Sequence, residues 1–297
     1  MARTVSLITG APLQVLSLFE AQQAYDLDDE SSVVVATPYA QSLMRGIGIT
    51  PGSIISFNYI IGAGRRTYSS IRRMIRDVEL ELGGSEVKIA MVGTPGLLGR
   101  SLVSRLQPKQ TVILEDGTAT LKFLRDYDER QPRFSRGKSV IREGVLRSYG
   151  LTSQEISGAD IFTPLEIDWH PFGRVVRHDF PRLRSRGSFS VVDEGVVLLL
   201  GRYENPDDDL MCRSKSMGLI GQGKTVLFKP HPVVSDPVAP KGSRLIDPAI
   251  SRLPVEFALL QMGFVPGTIV GFGSSALLTL RSLVPAEVNV IDISELD

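Results

Sequence analysis

Short apolar runs alternate with longer stretches of helical spacing along most of this chain. Val5–Thr9, Val33–Ala36, Ile54–Phe57, Val87–Val92 and Thr111–Leu114 are short, largely apolar and rich in β-branched residues, so they read as buried strands. Leu13–Tyr25, Ser69–Leu82 and Leu97–Leu106 between them read as helices. That alternation predicts βαβ units and a largely parallel sheet. The middle is less regular. Asp126–Gly150 is charged and loop-rich, with a helix expected near Lys138–Tyr149, and Ile161–Ile167 reads as a strand. Trp169–Gly187 carries Pro171, Pro181 and several arginines without clear periodicity, and it reads as an interdomain connection. Regularity returns at Val196–Leu200, the strongest strand signal. A helix around Asp208–Ile220, the strand Val226–Phe228, the helix Pro254–Met262, the strand Thr268–Phe272, the helix Ser275–Leu283 and a last strand Glu287–Ile291 follow. The expected architecture is α/β, with two doubly wound, Rossmann-like domains spanning 1–188 and 189–297 and facing each other across a cleft.

Composition narrows the partners. Lysines and arginines equal aspartates and glutamates at 33 each, so bulk charge gives no support to nucleic-acid binding. The basic stretch Arg65, Arg66, Arg72, Arg73 and Arg76 lacks interleaved aromatics. It reads as a solvated helix face or a surface for an anionic acceptor. No apolar run approaches the roughly 18–20 residues of a membrane span. Met1-Ala2-Arg3-Thr4-Val5 leads directly into a strand pattern without a secretory signal. The lone Cys212 fits a reducing compartment. The expectation is a cytoplasmic protein, with peripheral contact at a membrane surface left open.

The chemistry collects at strand ends. Val226–Phe228 stops at Lys229-Pro230-His231-Pro232, where two prolines stiffen the turn around one of only three histidines. Thr268–Phe272 runs into Gly271-Phe272-Gly273-Ser274-Ser275 just before a helix. In a parallel α/β sheet, ligands bind outside the carboxyl ends of the strands. An imidazole, two hydroxyls, glycines that admit a close backbone approach and a helix N-terminus together suit a phosphate. Each piece also has a plainer role: a serine before a helix is commonly its N-cap, and a single histidine is more often structural. A third piece, Glu115-Asp116-Gly117, ends the strand Thr111–Leu114. One of its carboxylates has the position to take a proton from an attacking hydroxyl. Glu256, in Leu253-Pro254-Val255-Glu256, opens a helix; it either matches the helix dipole or binds ribose hydroxyls.

Other sequences are set aside. Asp193-Glu194-Gly195 precedes a strand and belongs at the wrong edge of its sheet. His170-Pro171 follows no clear strand. Asp26-Leu27-Asp28, Asp126-Tyr127-Asp128 and Asp207-Asp208-Asp209 follow none either, so they read as polar surface rather than a metal site. No Cys/His cluster suits zinc, and no metal or other cofactor is expected.

Glu115-Asp116-Gly117, His231-Pro232 and Ser274-Ser275, in this order, resemble the three short motifs of bacterial sialyltransferases. Thr9-Gly10-Ala11-Pro12-Leu13-Gln14 is similar to the opening strand-turn-helix of the polysialyltransferase and lipooligosaccharide sialyltransferase groups. The resemblance spans most of the chain, but 126–193 brings no recognisable motif. It implies a GT-B type fold, with CMP-sialic acid held mainly by the C-terminal domain, and an inverting, metal-independent transfer to a glycan acceptor. Under it Glu115 or Asp116 deprotonates the acceptor, and the motif does not say which. His231 serves the departing CMP phosphate, which Gly273, Ser274 and Ser275 hold. Lys229 and Glu256 contact the nucleotide. Arg65, Arg66 and Gly10 belong to the acceptor side. A donor carrying another CMP-activated sugar acid, such as Kdo, is the enzymatic alternative. A non-catalytic nucleotide- or glycan-binding protein on the same fold is the other.

Overall fold

The computed structural model describes residues 3–27, 30–58, 64–93, 96–117, 120, 143–152, 156–167, 173–202, 207–216, 218–221 and 223–296. The described chain divides into two compact units, Met1–His178 and Asp179–Asp297. Residues 179–188 go with the second unit for a packing reason. Phe180 and Leu183 are fully buried there, and the turn Gly187–Phe189 packs against the helix Val255–Met262.

The first unit is a seven-stranded parallel sheet. Its strands are β1 (Arg3–Ile8), β2 (Ser32–Ala36), β3 (Ser53–Ser56), β4 (Val87–Val92), β5 (Gln110–Leu114), β6 (Asp160–Thr163) and β7 (Val175–Arg177). The order is β3-β2-β1-β4-β5-β6-β7, and every neighbouring pair is parallel. The central strands are buried on both faces over most of their length, which is why they read as largely apolar runs rather than as an alternation. Helix α1 (Pro12–Ala24) starts at a proline and is buried over most of its circumference. Helix α3 (Arg65–Leu82) buries Ile71, Met74, Ile75, Val78 and Leu82 along one stripe and stops at the left-handed Gly83. Helix α4 (Leu97–Leu106) follows β4.

In the first unit, two elements differ from the sequence expectation. Helix α2 (Pro38–Gly46) was not expected; only Ala40, Leu43 and Met44 of it are buried, so its apolar stripe is short. Its start is nonetheless written in Thr37, whose hydroxyl accepts the Ala40 N–H, and in Pro38 at the first turn. Strand β7 lies inside the stretch read as a connection. It is a three-residue edge strand, only half-buried, and too short to show a period. Within the expected helix near Lys138–Tyr149, residues 143–148 are helical and 138–142 lie outside the described residues.

The second unit is a five-stranded parallel sheet ordered β10-β9-β8-β11-β12. Its strands are β8 (Val192–Leu200), β9 (Thr225–Lys229), β10 (Arg244–Leu245), β11 (Val265–Gly271) and β12 (Asn289–Asp292). Helices Asp207–Ser216, Val255–Met262 and Ser275–Leu283 belong to it. Asp193-Glu194-Gly195 forms the exposed start of β8, at the edge opposite to the strands' carboxyl ends. Cys212 is exposed. No helix among the described residues is long and apolar enough to cross a membrane.

Candidate functional site

Strand order decides where each sheet can open a crevice. In the first unit the chain winds from β1 out to β3, then returns to place β4 on the other side of β1. Connections leaving β1 and β4 therefore depart in opposite directions, and a gap forms at their carboxyl ends. A cavity of about 350 Å³ lies there, lined by Leu7, Thr9, Gly93, Gly96, Leu98, Gly99 and Asp116. Gln14, fully buried on α1, shapes its wall. Its Oε1 accepts the Thr9 N–H at 2.8 Å and its amide contacts the Thr9 hydroxyl at 3.1 Å. A Cβ on Gly93 would stand 2.2 Å from that amide, so a side chain there would have to displace the Gln14 side chain. Gly10 holds φ +120° at the same turn, a conformation open to glycine and strained for other residues.

Glu115 and Asp116 extend from β5 into this region but occupy different environments. Glu115 is 1% exposed. Its Oε2 accepts a 2.5 Å hydrogen bond from Thr163 Oγ1 at the end of β6, while Oε1 is buried with no hydrogen-bond partner at ordinary distance among the described residues. Burial raises its pKa from 4.5 to about 6; the hydroxyls of Thr163 and Thr120 and the amides of Gly117 and Asp116 offset part of that rise. Asp116 is half-buried and faces the cavity. The Asp116 N–H donates to Thr120 Oγ1 at 2.9 Å, and Gly117 turns the chain at φ +68°.

A carboxyl whose pKa rises on folding holds its proton more tightly in the folded state, so it costs stability as pH climbs through that window. The stability of the wild type relative to Glu115→Gln should therefore fall by about 2 kcal/mol between pH 4 and pH 7. Urea unfolding of both proteins at the two pH values measures it. An unchanged difference would mean that Glu115 titrates normally.

In the second unit the chain runs β8, β9, β10 to one side and then crosses to β11 and β12 on the other. Its switch point lies at the carboxyl ends of β8 and β11. Gly271, Phe272, Gly273 and Ser274 leave β11 here. Gly273 adopts φ +60°, and its N–H donates to Asp292 Oδ1 at 2.8 Å. Burial alone would raise the Asp292 carboxyl, but the N–H of Gly273 and the hydroxyl and N–H of Ser294 outweigh it and hold it low. Ser274 caps the helix Ser275–Leu283 by accepting the Ala276 N–H. The Ser275 side chain lies outside what is described. Arg202, just past β8, stacks its guanidinium 4.2 Å from the centre of the Phe272 ring.

His231 lies on the same carboxyl edge, after β9. Its Nδ1 accepts the Val233 N–H at 3.4 Å, which leaves the proton of the neutral ring on Nε2. Burial, and then the charge of Lys229, lower its pKa. Sequence reasoning put Lys229 and Glu256 on the nucleotide, but the structure turns both inward. Lys229 is 3% exposed and Glu256 is 4% exposed. Lys229 Nζ donates to the carbonyls of Pro230 and Ser251, each at 2.8 Å. Burial lowers Lys229 to about 8 and raises Glu256 to about 7, and each partly offsets the other. A second cavity, of about 520 Å³, adjoins this region and is lined by Ser235, Asp236, Pro237, Val238, Leu245, Pro248, Ser251 and Arg252.

Glu115, Asp116 and Gly10 thus gather at the carboxyl edge of the first sheet. His231, Gly273 and Ser274 gather at that of the second. Arg65 and Arg66 are exposed in the first turn of α3. Sequence reasoning missed Gln14, Thr163 and Arg202. Gln14 follows the Gly-Ala-Pro turn, but no pattern marks a glutamine as a clamp. His178 stacks on Phe162 at 4.2 Å, in an aromatic cluster with Tyr25. His170, Asp28 and Asp126-Tyr127-Asp128 lie outside the described residues. No group of three His, Cys, Asp or Glu side chains among the described residues could hold a metal ion.

No protein-family model matches the chain, and no curated protein matches it by sequence. Solved structures do match. The glycosyltransferase of kitacinnamycin aligns with 96% of this chain and 79% of its own at 10% identity and a TM-score of 0.53. The UDP-GlcNAc 2-epimerase from Methanocaldococcus jannaschii aligns with 95% and 82% at 16% identity and a TM-score of 0.52. Two parallel Rossmann-like sheets with this connectivity make the fold GT-B-like, as in those proteins.

Proposed function

We propose that this chain is an inverting, metal-independent sialyltransferase. It moves sialic acid from CMP-sialic acid to a glycan hydroxyl in the synthesis of a surface polysaccharide or lipooligosaccharide. The observation that carries the reading is the placement of three motifs on one GT-B-like chain. The His231-Pro232 and Gly273-Ser274-Ser275 turns share the carboxyl edge of the second unit's sheet. Glu115-Asp116-Gly117 stands at that of the first. A nucleotide-sugar substrate also suits a fold shared with a UDP-GlcNAc 2-epimerase.

In the proposed reaction Glu115 takes the proton of the acceptor hydroxyl. Its pKa, raised to about 6 by burial, suits a general base. The hydroxyl oxygen attacks the anomeric carbon as the bond from that carbon to the phosphate oxygen breaks. CMP departs carrying the bonding electron pair. The Nε2–H of His231 donates to the phosphate, and Ser274, Ser275 and the N–H groups of the following helix stabilise its charge. The 350 Å³ cavity takes the acceptor ring beside Asp116, and the 520 Å³ cavity takes the nucleoside. Arg65 and Arg66 offer charge to an anionic acceptor.

Calorimetric titration with CMP, UMP, UDP and TDP tests the donor class. CMP should bind tightest, and Ser274→Ala should weaken it by about tenfold, the loss of one hydrogen bond to a charged group. Preference for UDP or TDP over CMP would overturn the donor reading.

A further inference from the structure

Lys229 is an expensive residue to bury. A methionine would fill its space without desolvating a charge. Its ammonium instead makes two definite bonds. One goes to the carbonyl of Pro230, the residue directly before His231. The other goes to the carbonyl of Ser251, at the end of the short helix Pro248–Ser251. Four residues on, the helix Val255–Met262 begins and buries Glu256, whose charge Lys229 feels. The end of β9 is thereby tied to the end of the helix Pro248–Ser251.

The effect falls on His231. Pro230 and Pro232 fix φ on both sides of it. The Lys229 bond fixes the peptide carbonyl before it, and the Val233 N–H holds Nδ1. Together these constraints hold the ring by Nδ1 and put the proton of its neutral form on Nε2.

We infer that Lys229 is a positioning residue that acts through His231, fixing the orientation and the tautomer of its ring rather than touching the nucleotide. The inference rests on the proposed role of His231, but the brace itself is a property of the free protein. The Lys229 charge also works against protonation of the imidazole, in line with the lowered pKa of His231. Asp247 and Arg252 flank the same short helix, and Asp236 stands across the adjoining cavity. The bonds to the ammonium come from Pro230 and Ser251.

The test reads His231 without substrate. Nitrogen-15 and proton spectra of the full chain follow all three histidines through pH, with His231 assigned from His231→Gln. Lys229→Met alone leaves the Glu256 carboxyl buried without its counter-charge and is the variant at risk of not folding. The double variant Lys229→Met/Glu256→Gln removes both charges and retains the volume. In it the His231 titration should move up by about half a pH unit or more, and the ring should become a mixture of Nδ1–H and Nε2–H forms. CMP release should fall by about tenfold or more, with KM for CMP-sialic acid changed less than about threefold. An unchanged His231 titration and tautomer in the folded double variant overturns the inference. If wild type fails to release CMP from CMP-sialic acid, the donor reading fails instead, and the histidine spectra still decide the brace.

Discussion

Glu115→Gln should lower sialyl transfer by about two to four orders of magnitude while leaving the affinity for CMP nearly unchanged. Glutamine keeps the shape and still accepts from Thr163, so the turn after β5 should survive. What disappears is the proton acceptor. Glu115 is the better base of the acidic pair because its surroundings tune it. It is 1% exposed, and its pKa is raised to about 6. A base with a pKa near the working pH combines a large deprotonated fraction with a real appetite for the proton. Asp116, half-buried on the cavity wall, has contact with an acceptor as its task, so Asp116→Asn should raise the acceptor KM more than it lowers turnover. The reverse order, with Glu115→Gln close to wild type and Asp116→Asn inactive, would exchange the two roles.

His231→Ala should cut turnover by about a hundredfold or more. The departing phosphate gains charge in the transition state, and a preorganised donor aimed at it contributes most there. The ring is set for that task, since Val233 holds Nδ1 and the flanking prolines hold the backbone. Circular dichroism of the variant should match wild type, because His231 lies outside the strands and is half exposed. A variant that turns over within a few-fold of wild type would remove His231 from the chemistry.

The sheets were legible in the sequence because their strands are buried on both faces. Val33–Ala36 and Val196–Leu200 are continuous apolar runs, Val87–Val92 is broken only by Lys88, and the structure makes strands of all three. The fold class followed from their alternation with helices, and the structural matches bear out a GT-B-like architecture. Short edges were not legible. β7 and β10 have three and two residues, and their pairing comes from a neighbouring strand, not from a pattern of their own. The strand-end rule located the acidic, histidine and serine motifs correctly on the carboxyl edges. It could not tell which way a side chain turns once there. Lys229 and His231 lie two residues apart in one turn, yet one is buried and the other half exposed. Glu115 and Asp116 are adjacent and likewise differ. Gln14, Thr163 and Arg202 act through contacts between distant segments, which no local spacing records.

The central claim is tested most directly by release of CMP from CMP-sialic acid, with EDTA present and glycan acceptors supplied, for wild type and His231→Ala. The account predicts metal-independent release by wild type that collapses in the variant. Absence of release by wild type across acceptors, or equal release by both proteins, would contradict it.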